Sequence, residues 1–137
     1  MIVVDTNVWS EPLRPEPDPR VLAWMRAHAG ELHMPALVVH ELLFGLELLP
    51  TGGRRERLAA QIDATINGLA DRVLTYDSDV AATHARLRAR ARSAGREPSA
   101  QNGQIAAHAA HASAPLATRN TSDFTDLGIT LINPWHD

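Results

Sequence analysis

Three carboxylates stand where strand ends or helix starts can bring acids to one edge of a sheet: Asp5, Glu41 and Asp123. Asp5 closes the apolar run of MIVVD, Glu41 lies inside LVVHELLFGLELL, and Asp123 follows the polar stretch TRNTS. Singly, each has an ordinary reading. Asp5 can serve the turn Asp5-Thr6-Asn7, Asp123 can cap a short helix, and Glu41 can reach past its apolar neighbours to water. Converging, they would repel: two unit charges about 4 Å apart interact by roughly 4 kcal/mol at an effective dielectric of about 20. A hard divalent cation relieves that repulsion, and Mg²⁺ commonly takes one or two carboxylates plus waters and phosphate oxygens. Such a site suits phosphodiester hydrolysis by metal-activated water.

Asn102, in REPSAQNGQIAA, raises the opposite question. Pro98 and Ser99 mark a turn, and Ile105, Ala106 and Ala107 open an alanine-rich helix, so Asn102 reads first as a polar cap.

The elements that must position these side chains alternate between strand and helix. Residues 2–4 are a continuous apolar run, as in a buried parallel strand. Asp18-Pro19 starts a helix to about His28. Residues 32–34 form a short strand, and a helix then spans about 36–49, with Val38, Leu42 and Leu46 inward, before Pro50 and Gly52-Gly53 stop it. Leu58, Ile62, Ile66 and Leu69 make a stripe on a helix over 54–69. RVLTY (72–76) reads as a strand, Asp77-Ser78 opens a helix over 79–93 that Gly95 ends, and strands at 115–118 and 129–132 follow. This alternation predicts an α/β fold, a small parallel sheet flanked by helices on both faces, as one domain over residues 1–137. Sites in such sheets form beyond the carboxyl ends of the strands, where Asp5 and Asp123 fall.

Composition narrows the chemistry. With 137 residues, 45% apolar and 21% charged, the chain can bury a core of ordinary globular kind. A formal charge of −3 argues against non-specific nucleic-acid binding. All 13 basic residues are Arg, which removes P-loop, Schiff-base and phosphoryl-receiver lysines. Arg remains suited to bidentate phosphate contacts. Without Cys there is no disulfide, thiolate metal site or Cys nucleophile. No apolar run reaches membrane-spanning length and no secretion signal is visible, so a cytoplasmic protein without a membrane partner is expected.

Four segments, MIVVDTNVWSE, VVHELLFGLELLPTGGRRERL, REPSAQNGQIAAHAA and LATRNTSDFTDLGITLINPW, resemble in order those of the PIN-domain ribonucleases. The likeness is nearest to the VapC-type toxins, FitB-like members included, of type II toxin–antitoxin pairs. It implies a PIN domain with a metal-dependent endoribonuclease activity using Mg²⁺ or Mn²⁺, an RNA substrate, a cognate antitoxin and a homodimer. Matched by motif, Asp5, Glu41 and Asp123 are the first, second and fourth acids. Asn102 stands at the third, so the catalytic set is Asp5, Glu41, Asn102 and Asp123, with Asp5, Asn102 and Asp123 toward the metal. Thr6, Asn7, Thr118, Arg119 and Asn120 match the polar positions that orient water or substrate. An amide keeps a coordinating oxygen but loses a charge and cannot accept a proton as a carboxylate does. The alternative is therefore a catalytically impaired PIN-fold protein that binds antitoxin or RNA. Deamidation at Asn102-Gly103 is one route back to the acid.

ARLRARARSAGRE crowds arginines at the end of a helix, where cations are favourable in any case and most read as a solvated face. Arg92 and Arg96, nearest the Asn102 turn, are the candidates for RNA-backbone contacts. His108 and His111 read as surface histidines, since zinc wants three or four ligands. A haloacid-dehalogenase-like reading needs an acid two residues after Asp5, where Asn7 stands.

Overall fold

A computed structural model describes residues 1–137. Its sheet has five strands, all parallel: β1 (Ile2–Val4), β2 (Leu32–Pro35), β3 (Val73–Leu74), β4 (Leu116–Ala117) and β5 (Leu131–Ile132), in the order β3-β2-β1-β4-β5. The central strand is IVV because both of its faces are covered: Val3 and Val4 are fully buried and Ile2 nearly so. Val3 pairs with His33 on one side and Leu116 on the other. The edge strands β3 and β5 have two residues each, as does the inner strand β4, but they are half-buried where β4 is fully buried. β3, β4 and β5 are all shorter than the stretches 72–76, 115–118 and 129–132 suggest, because a strand extends only as far as its neighbours pair with it, and these pairings span two residues each.

Six helices surround the sheet: α1 (Thr6–Ser10), α2 (Pro19–Ala27), α3 (Ala36–Glu47), α4 (Gly53–Leu69), α5 (Ser78–Ser93) and α6 (Ala100–Ala112). Their starts follow local chemistry. Asp18 accepts from the Arg20 N–H with Pro19 at the first helical position, and Asp77 accepts from the Val80 N–H at 2.9 Å. The cap of α6 is Ser99, whose Oγ accepts the Asn102 N–H at 3.1 Å. Asn102 is thus three residues inside the helix start, not its cap, and its side chain is free for another use.

The alanines of α6 are there for close packing. Ile105, Ala106, Ala107 and Ala109 are buried against the sheet and α5. At Gly103 the two helices nearly touch: a Cβ there would fall 2.9 Å from His84 Nε2. From β1 the sheet grows toward β3 in one direction and toward β5 in the other. Right-handed crossovers then put α2–α4 and α5–α6 on opposite faces, and leave a crevice between the ends of β1 and β4.

Candidate active site

At that crevice lies a cavity of about 540 Å³, lined mainly by polar side chains. A larger cavity, about 660 Å³, sits between α5, α6 and the 126–130 segment, but its one carboxylate, Asp126, is already paired with Arg96. The smaller one holds the chemistry.

Asp5 ends β1 and is only 6% exposed. Its Oδ1 accepts the Thr6 N–H at 2.7 Å, and its Oδ2 accepts the Thr118 hydroxyl at 2.8 Å and the Asn7 amide at 3.2 Å. Thr118, fully buried at the end of β4, also accepts the Asn120 N–H at 3.1 Å. The Asn7 Oδ1 accepts the Arg119 N–H at 3.1 Å. So Asp5-Thr6-Asn7 and Thr118-Arg119-Asn120 clip two adjacent strand ends together. Burial raises the Asp5 pKa above its ordinary value; the hydrogen bonds of Thr118, Thr6 and Asn7 pull it down, and the charge of Glu41 pushes it up.

Glu41 reaches the same cavity from α3, half-buried, with Oε2 accepting the Thr6 hydroxyl at 2.7 Å. Asn102 and Gln101 line it from the first turn of α6. The Gly103 N–H, which would have to attack the Asn102 side chain for deamidation, is held by Ser99 O at 2.8 Å. The helix therefore protects this Asn-Gly pair.

Three groups stand elsewhere than the sequence leads one to expect. Asp123 is exposed and does not line the cavity, and no three His, Asp or Glu side chains are grouped to hold an ion. The reason is local: the 3₁₀ turn Thr121–Phe124 buries Phe124, and with three residues per turn the preceding side chain points elsewhere. Arg92 and Arg96 also lie off the cavity. Arg92 and Arg88 share Glu97, drawing its carboxyl below the ordinary range, while Arg96 pairs with Asp126. Finally, His108 is not on the surface but 2% exposed, its Nε2 without a partner and its pKa lowered by burial; His111 is exposed.

The cavity also contains residues that the sequence reading passed over. Glu11 is 2% exposed and holds Arg14, and Trp135 lies under Arg119, whose guanidinium carbon is 5.0 Å from the ring centroid. Trp135 is fixed by a turn in which Asn133 accepts its N–H at 3.0 Å. A Glu three residues before an Arg in SEPLRP was the available signal for the first pair. Nothing local links Trp135 to a loop at 119.

A short polar crevice at the switch of a parallel sheet, with an acid at the end of the central strand, is the architecture of the PIN domain, whose family profile matches residues 2–129; the chain belongs to that family. It is 42% identical over 139 residues to the toxin FitB of Neisseria gonorrhoeae, covering all of both chains. It is also 42% identical over 137 residues to the VapC ribonuclease Y4jK of Sinorhizobium fredii, covering 98% of each. The crystal structure of FitAcB from Neisseria gonorrhoeae superimposes with a TM-score of 0.93 at 40% identity, over 100% of both chains. A member of the VapBC family of toxin-antitoxin systems, VapBC-5 from Mycobacterium tuberculosis, is similar at a TM-score of 0.65 and 28% identity, over 96% of each chain.

Proposed function

We propose that this chain is the toxin of a toxin–antitoxin pair and an endoribonuclease that cuts RNA phosphodiester bonds with Mg²⁺ or Mn²⁺. Its likeness to a FitB toxin and a VapC ribonuclease supports the first part. The observation that carries the chemistry is the buried Asp5, joined to Glu41 through Thr6 in one cavity with Asn102.

The donors fit a hard cation. All are oxygens, and Asp5 is raised in pKa partly by Glu41, a repulsion that a cation relieves. VapC-family PIN nucleases generally use divalent metal ions. Asp5 and Glu41 would hold the ion with the amide oxygen of Asn102 beside them, and the ion supplies an activated water and charge for the leaving oxygen. Thr118, Asn7 and Thr6 keep the two carboxylates in place by hydrogen bonds that leave no rotamer freedom to Asp5. Arg119, steadied on Trp135, and Asn120 face the same space and position substrate. Asp123, outside the cavity, would act through its turn, where its N–H donates to Asn120 O at 3.0 Å beside the site.

Leu43 and Phe44 on α3, with Leu48 just past its end, leave an exposed apolar strip suited to the antitoxin or to a second copy in a homodimer. The experiment is cleavage of a mixed RNA pool with Mg²⁺ or Mn²⁺, for this chain and for Asn102→Asp. Cleavage abolished by EDTA and stronger in the Asp form is expected; no cleavage by either form with either ion overturns the enzymatic reading. The amide at 102 favours a second reading, an impaired nuclease that acts by binding antitoxin or RNA. It predicts RNA or antitoxin binding without measurable cleavage by this chain, with cleavage appearing only in Asn102→Asp.

A further inference from the structure

Glu11 is a buried carboxylate in a cavity that already has Asp5 and Glu41, at a site meant for a polyanion. Charged groups are seldom so buried unless paired. Its partners are Arg14, whose Nη1 donates to Oε1 at 2.9 Å and Oε2 at 3.3 Å, and the Asp18 N–H at 3.3 Å. Arg14 itself is open, its side chain 57% exposed.

The arginine is presented from a stiff segment. Pro12 and Pro15 bracket Leu13 and Arg14, and Arg14 has the extended backbone (φ −73°, ψ 152°) that a following proline favours. Only one nitrogen of its guanidinium is used by Glu11, so the Nε–Nη2 edge stays free for a bidentate contact. Arg92 is the contrast: it spends both Nε and Nη2 on Glu97. Arg14 and Arg119 are the cations that line the cavity.

We propose that Arg14 is a phosphate-binding residue for the RNA backbone beside the scissile position, and that Glu11 is its positioning residue. The inference rests on the RNA reading above. The carboxylate fixes one edge of the guanidinium and turns the other to the strand, so that a site crowded with acids still grips a polyanion.

The test is fluorescence anisotropy of a labelled single-stranded RNA oligonucleotide in Ca²⁺, across a salt series, with thermal unfolding as the fold control. Arg14→Ala is expected to weaken binding roughly tenfold and to reduce the slope of log K against log salt by about 0.7. Arg14→Lys should restore the slope but not the full affinity, which also covers the case in which the alanine form folds poorly. Glu11→Gln should keep the slope and lose affinity, and Arg92→Ala should change neither. Binding by the unmodified chain with Kd and slope unchanged in Arg14→Ala overturns the inference alone. Tighter binding by Glu11→Gln overturns the positioning role of Glu11. No RNA binding by the unmodified chain overturns this inference and the RNA reading together.

Discussion

The two walls of the cavity are built on different plans. On the strand side, Asp5 has every oxygen engaged, Thr118 is fully buried, and two tripeptides far apart in sequence are clipped together. On the helix side, Asn102 and Gln101 extend from the first turn of α6 with their backbone capped by Ser99 and their side chains facing open space. The polar groups of the strand wall are buried and bonded to one another, whereas the side chains of Gln101 and Asn102 stand unbonded at the open end of a helix whose other side is core. A change on the first alters the fold and the chemistry together; a change on the second alters the chemistry alone. That is why an amide can stand at position 102 in an otherwise coherent site.

The sharpest way to break the comparison is Asp5→Ala, made in the Asn102→Asp form so that activity is measurable. RNA cleavage should fall by more than roughly a hundredfold. Next is Thr118→Val, which takes the hydroxyl from Asp5 and the acceptor from the Asn120 N–H. It should cost about 1–3 kcal/mol in urea unfolding and lower cleavage as well. With Mn²⁺ present to offset the added charge beside Asp5 and Glu41, Asn102→Asp should move stability by less than about 0.5 kcal/mol, since the amide side chain makes no hydrogen bond, while Mn²⁺ titration calorimetry shows tighter binding. A loss of stability as large as that of Thr118→Val would erase the distinction between the walls.

Smaller effects follow from pH. The folded pKa of Asp5 is raised by burial, so the folded state takes up its proton more readily than the unfolded chain. Stability due to this group is complete below its ordinary value of 3.8 and is lost as the pH rises through the raised folded value. Asp5→Asn should therefore melt above the unmodified chain at pH 7 without metal, with the gap closing toward pH 4. His108 acts with the opposite sign: burial lowers its pKa, so stability present above 6.5 is lost as the pH falls toward the folded value. Melting between pH 7.5 and 5.5 should show that loss, and His108→Phe should reduce it, leaving the smaller part due to His84, whose pKa burial also lowers.

Much of the strand wall was legible in the sequence because its signals are local. MIVVD gives a buried strand with an acid at its end, and the place of that strand end in a parallel sheet follows from the alternation of elements. The helix over 79–93, with Asp77 as its cap, is legible for the same reason. The position of Asp123 outside the cavity is not legible in TRNTSDF, because the three-residue period of the 3₁₀ turn appears only once Phe124 is buried. His108 was misplaced because an alanine-rich helix shows no apolar stripe from which to find its buried side. Trp135 and Arg119 meet through the register of β4 and β5, which no short motif encodes. Arg92 and Arg96 were credited to the substrate because Glu97 and Asp126 become their neighbours only after folding.

The near-contact at Gly103 gives the helix wall its reach. The His84 ring that a side chain at 103 would strike is itself held, through Nδ1, by the Tyr76 hydroxyl at 2.8 Å. A methyl at 103 would therefore have to break that hydrogen bond by turning the ring, or lift the start of α6 from α5 and carry position 102 with it. The donors would all remain and only the gauge between the walls would change. In this molecule a missing side chain sets the aperture as surely as the acids set the charge.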